Sequence, residues 1–166
     1  MSLLPLAEAP LGIRPDELDF PLFIHVLGAM VMVGALVTAA FFLFVARRDG
    51  SVDQLRVGFR TLLYVALPSF IVMRVGAQWI ADKQGYIDLD DPPAFIDIGF
   101  MTSDVGLLFL LTATIATGLT VRGAGRAAEG GGAAAASRWT TVAAWLTTIL
   151  IAVYVVAIWA MTAKPA

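Results

Sequence analysis

The sequence predicts an all-α, integral membrane four-helix bundle. Three observations carry that reading: 59% of the 166 residues are hydrophobic, only 14% are charged, and the apolar residues gather into four runs separated by short polar connectors. An ordinary soluble domain is roughly half apolar and about a quarter charged, so one core cannot absorb this excess, which the mean hydropathy of +0.83 also records. Only helices and closed barrels satisfy the backbone in lipid, and the runs lack the strict alternation of barrel strands. A net charge of -2, the absence of cysteine and the lack of a dominant basic cluster exclude a disulfide scaffold, a disordered tail and a nucleic-acid binder.

Before the first run lie 20 residues with Pro5, Pro10 and Pro15 and no basic cluster at the start. This is a poor n-region for a cleaved signal, so the first helix is expected to stay, with an extended tail before it. Bounding each run by its nearest charge or turn cluster gives spans over Pro21 to Ala46, Thr61 to Ala81, Asp104 to Val121 and Trp139 to Met161. Each is close to the ~20 residues that cross a bilayer as a helix. Residues 1–166 then form a single transmembrane domain.

The connector after the first span carries Arg47, Arg48, Arg56 and Arg60, and the one after the third carries Arg122, Arg126 and Arg138. The other side holds only Arg14, Lys83 and Lys164. Seven against three predicts that both arginine connectors are cytoplasmic and both termini lie on the outer side, as in a bacterial inner-membrane protein. Between spans two and three, Gly85 to Phe100 alternates aromatic and aliphatic residues with aspartates, a pattern suited to the headgroup layer and broken by Pro92 and Pro93. Gly123 to Ala136 is nearly all Gly and Ala and reads as a flexible connector.

Within the spans, Gly28, Ala35 and Ala39, with Gly34 and Thr38 beside them, predict a small-residue packing face. Thr112, Thr114, Thr117, Thr120, Thr140, Thr141, Thr147 and Thr148 can return their hydroxyls to the backbone or bridge helices. Pro68 removes a hydrogen bond to the Tyr64 carbonyl, which predicts a distortion there.

Arg74 is the informative residue. It lies 13 residues beyond Thr61, which places it ~20 Å from the inner edge at ~1.5 Å per residue. A guanidinium there costs at least ~2.5 kcal/mol unless it snorkels or is paired. Gln78 and Asp82 follow at intervals of four and Phe70 precedes it, making one stripe with an apolar floor. His25, near the outer start of the first span, and Asp104, expected to open the third after Thr102 and Ser103, reach a similar depth.

Other chemistry is missing. One histidine and no cysteine cannot build a three-ligand zinc site, an H-E-x-x-H protease or a thiol centre, and Ser69 and Ser103 lack an acyl-transfer partner. Asp88, Asp90 and Asp91 do not have calcium-loop spacing. A His/Met haem site remains open, with His25 and either Met73 or Met101 as axial ligands, and a homodimer would bring a second histidine.

The string His25-Val-Leu-Gly-Ala-Met-Val-Met-Val-Gly34 resembles the opening helix of a group of small bacterial multi-pass membrane proteins. That group includes the copper-resistance D-type and haem-biosynthesis oxidase-type families. The resemblance covers about ten residues and implies that His25 is a haem ligand. The usual tryptophan before the second glycine is replaced here by Met32 or Val33, and there is no second histidine.

These readings lead to a multi-pass membrane protein, with no catalytic constellation, that binds a small ligand, lipid or partner helix at an outer-leaflet site of His25, Arg74, Gln78 and Asp104. An anionic guest is expected where Asp104 does not already saturate Arg74. The alternatives are a haem-bearing electron-transfer protein using His25, or an accessory subunit of a larger membrane complex.

Overall fold

The computed structural model describes residues 16–89, 93–128 and 138–163, and these are all helix and short turns. After a 3-10 turn at Asp16–Leu18, α1 runs over Asp19–Asp49. Helix α2 (Val52–Thr61) continues through a π-helical turn at Leu62–Ala66 into α3 (Leu67–Lys83). A 3-10 turn at Tyr86–Asp88 precedes α4 (Ala94–Ala128), and α5 spans Arg138–Ala163. Four helical stretches are long and apolar enough to cross a membrane: Asp16–Asp49, Val52–Lys83, Ala94–Gly125 and Arg138–Ala163. No more than 39% of the most apolar stretch of any of them is buried inside the protein, so most of the apolar surface faces outward.

Three expected boundaries are corrected. The first arginine connector is mostly helix: Gly50, at φ 68°, ends α1 in the left-handed conformation, and the Ser51 side chain caps α2 by accepting from the Gln54 amide. Arg56 and Arg60 therefore ride on α2, and Arg56 is held by Asp53 one turn earlier at 3.0 Å. The third span begins at Ala94, directly after Pro93, so Asp104 lies ten residues into α4 and does not open it. A proline fixes the chain for helix entry, and the aspartate spacing that read as a surface segment is compatible with a helix one face of which is polar. At the other end α4 continues to Ala128, absorbing the start of the Gly/Ala connector because alanine is the strongest helix former. The N-terminal tail before Asp16 and the rest of that connector lie outside the described residues.

Pro68 produces the expected distortion as a π turn. The Leu67 amide bonds back to the Leu62 carbonyl, five residues earlier, which frees the Tyr64 carbonyl from the proline ring without ending the helix.

Helix α1 is central. It packs against α2 and α3 on one side and α5 on the other, and α5 carries α4. The core is Met32, Leu36 and Leu43 of α1, Leu55 and Leu62 before α3, Leu110 of α4 and Leu150 of α5, interleaved with alanines. Gly28, Ala35 and Ala39 are buried as expected, whereas Gly34 and Thr38 face outward. The threonine hydroxyls of Thr112, Thr114, Thr117, Thr120, Thr147 and Thr148 all donate to the carbonyl four residues earlier, so none of these six hydroxyls is left unsatisfied.

The two ends of the bundle differ. At the arginine-bearing end α2 meets α4, with Phe59 against Gly118 so closely that a Cβ on the glycine would stand 2.9 Å from the ring. At the opposite end α3 and α4 barely meet. The bundle closes at one end and splays at the other.

Candidate functional site

The splayed end forms a half-open cavity of about 840 Å³ lined from α1, α3, the Tyr86–Asp88 turn, α4 and α5. Its walls are mostly apolar side chains such as Leu22, Val26, Ile80, Phe95 and Ile158, with polar residues among them that include His25, Arg74, Gln84 and Ser103. Volume and lining both match the usual small-molecule site, an apolar concavity with a small number of placed polar groups.

His25 is positioned by a reciprocal pair of glycines. A Cβ on Gly76 would lie 2.8 Å from the His25 backbone nitrogen, and one on Gly28 would lie 2.6 Å from the Met73 backbone nitrogen. Two helices cross backbone to backbone here, closer than side chains would permit. That approach lets His25 Nδ1 reach the Met73 carbonyl at 2.9 Å. A carbonyl only accepts, so Nδ1 carries the proton and, in the neutral ring, Nε2 is left as an acceptor.

Arg74 is one residue further along α3 and answers the question its depth raises. Its Nη2 donates to Asp104 Oδ1 at 3.1 Å, and the guanidinium carbon lies 4.5 Å above the Phe100 ring. The Arg74 side chain is 29% exposed and that of Asp104 69%, so the arginine is the less exposed member of the pair. The link joins α3 to α4 where those helices otherwise have little contact. Stacking and pairing both answer the guanidinium charge from within the protein.

Of the other expected site residues, Met73 is buried and lines the cavity. Gln78 is exposed and outside the lining, because the face that α3 turns to the cavity runs through Met73, Ala77, Ala81 and Gln84 and Gln78 lies to the side of it. Met101, 67% exposed, also lies outside the lining, on the face of α4 turned away from the bundle. The haem geometry expected from His25 and Met101 is therefore not assembled within one chain. Asp104 contributes only through Arg74.

Tyr154 was not anticipated. It is 4% exposed, lines the cavity, and among the described residues its hydroxyl has no hydrogen-bond partner. Gly106 of α4 makes the room, since a Cβ there would overlap the Tyr154 hydroxyl. An orphaned buried hydroxyl costs about 1–3 kcal/mol. The sequence held one signal: Tyr154 precedes the end of α5 by nine residues, as Arg74 precedes the end of α3, which puts both ~13 Å from the same end. Tyr86, Phe95 and Phe100 also line the cavity, with Tyr86 edge-on to Phe95 at 6.1 Å, where a headgroup-layer position was expected for this segment.

Comparison with protein-family models, with curated proteins and with solved structures found no match to this chain.

Proposed function

We propose that the chain is a multi-pass protein of the bacterial inner membrane, its arginine-bearing end in the cytoplasm and both termini outside, that binds a small amphipathic ligand or lipid in the cavity at its splayed end. The carrying observation is the cavity itself, apolar over most of its wall, with His25, Arg74 and Ser103 among the residues that line it. Outward-facing apolar helices support the bilayer as partner, and the excess of arginine at the closed end supports the orientation.

Native mass spectrometry of the protein extracted in mild detergent tests this reading. A bound species is expected on the wild type and is expected to be lost from Ala157→Trp, which fills the cavity from α5. Retention that is the same in both chains overturns it. Arg74→Met adds a second check: unchanged retention together with lower thermal stability assigns Arg74 and Asp104 to architecture alone.

A second reading, haem binding through His25, is supported by the Nδ1 hydrogen bond to the Met73 carbonyl, the kind of contact that orients a metal-binding imidazole. The lone histidine supplies one axial ligand and Met73, on the neighbouring helix, is one of four methionines at the cavity. A visible spectrum after expression with ample haem decides it, since the absence of a Soret band removes haem.

A further inference from the structure

The cavity is walled by α1, α3, α4 and α5, and around it α3 packs on α1, α1 on α5 and α5 on α4. The remaining seam, between α3 and α4, is open, since those two helices barely meet. It has a frame. Tyr86, edge-on to Phe95, bounds it at the outer end, and Phe59 against Gly118 bounds it at the arginine-bearing end. Between these limits Arg74 crosses the gap, its guanidinium over Phe100 and its Nη2 donating to Asp104.

The two members of that crossing lie on different sides of the wall. Arg74 lines the cavity, whereas Asp104 is exposed and outside the lining, so the ion pair reaches through the seam from the inside to the outside. Its outer neighbours are apolar apart from Gln78. Ile71 lies one turn before Arg74, and Met101 and Leu108 lie one turn either side of Asp104, all exposed. In a chain that spans a bilayer, such apolar lips face acyl chains.

We infer that the guest of the cavity comes from the bilayer and passes laterally between α3 and α4, and that the Arg74–Asp104 pair is the latch across this route. This rests on the cavity reading above and adds the source of the ligand and the step that controls its entry. A latch need not be strong. An ion pair with one exposed member is weak enough to part and re-form at each passage.

The test reconstitutes the full chain in phosphatidylcholine vesicles with deuterated 1-hexadecanol in the bilayer. Native mass spectrometry of timed detergent extracts follows loading and, after addition of unlabelled alcohol, release. In Asp104→Asn both rates are expected to rise about two- to five-fold, the worth of one partly exposed ion pair, and in Asp104→Glu both are expected to keep the wild-type value. Equal acceleration in the two directions marks a latch, whereas a contact that merely holds the guest changes release alone. Gln78→Cys combined with Met101→Cys places thiols at exposed positions one turn outward of the pair, in a chain with no native cysteine. Bis-maleimides of graded length then bridge the seam, and the shortest that does so is expected to slow both rates at least about ten-fold, while N-ethylmaleimide on the same variant leaves them unaltered. A bridge without effect overturns the lateral route, and Asp104→Asn without effect, or with release alone quickened, overturns the latch; both results leave the cavity reading standing. A wild type that takes up no alcohol, or loading that is the same in Ala157→Trp, overturns the cavity reading as well.

Discussion

Gly76 of α3 lies against His25 of α1 with no side chain between them, and Gly28, one turn along α1 from the histidine, lies in the same way against Met73. The reach of Nδ1 to the Met73 carbonyl depends on this crossing.

Alanine at either glycine must push two backbones apart, a strain of about 1–3 kcal/mol that outweighs the ~1 kcal/mol helix-propensity gain of alanine over glycine. Gly28→Ala and Gly76→Ala are therefore expected to lower the thermal midpoint in detergent, followed by tryptophan fluorescence. Gly34 has open space at its Cβ position. Gly34→Ala is expected to raise the midpoint, and equal effects at all three glycines would contradict the crossing.

Removing one member of the Arg74–Asp104 pair strands the other, whereas removing both does not. A double-mutant cycle of Arg74→Met, Asp104→Leu and the combination is expected to give a coupling energy of about 0.5–1 kcal/mol, held down by the exposure of Asp104. Additive unfolding free energies would mean that the pair contributes nothing to closing α3 onto α4.

Tyr154→Phe removes an unsatisfied buried hydroxyl and no observed bond. The ligand-free variant is expected to be more stable than wild type by about 1 kcal/mol. A loss of stability would show that the hydroxyl is bonded within the protein.

The π turn holds one residue more than an α turn, so its removal and its extension have opposite consequences. Deleting the exposed Val65 is expected to restore α spacing with the face of α3 unchanged and Arg74 still opposite Asp104, while pressing the Pro68 ring onto a helix carbonyl. Inserting an alanine after Val65 rotates α3 by about 100° and is expected to separate the pair. Thermal midpoints of the two variants distinguish these outcomes.

The native chain has no cysteine, so single cysteines report orientation without background. Asp82→Cys is expected to react with a membrane-impermeant maleimide on intact bacterial cells, and Asp49→Cys only after permeabilisation. The reverse pattern would invert the proposed topology.

Much of the candidate site could be read from depth along the chain. His25, Arg74 and Met73 each line the cavity because helix rise is fixed, so residue number converts to height. Gln78 and Met101 failed on azimuth, since depth leaves open which side of a helix faces inward. The start of α4 is not legible in the sequence, because aspartates mark a surface boundary and are equally accepted on the outer face of a helix. Tyr154 escaped notice because a tyrosine in an apolar run reads as packing until its hydroxyl is found without a partner.

Hydropathy and charge accumulate along the chain, and by themselves they determined four membrane-length helices, the arginine-rich end and the presence of a guanidinium deep in the second span. Those properties are local and need no knowledge of neighbours. Which faces meet was decided by tertiary structure alone: the glycine crossing that aims His25, the carboxylate that neutralises Arg74, and the splay of α3 from α4 that leaves a cavity. Each depends on residues far apart in sequence coming within a few ångströms, and short-range contact of that kind has no signature in a linear pattern.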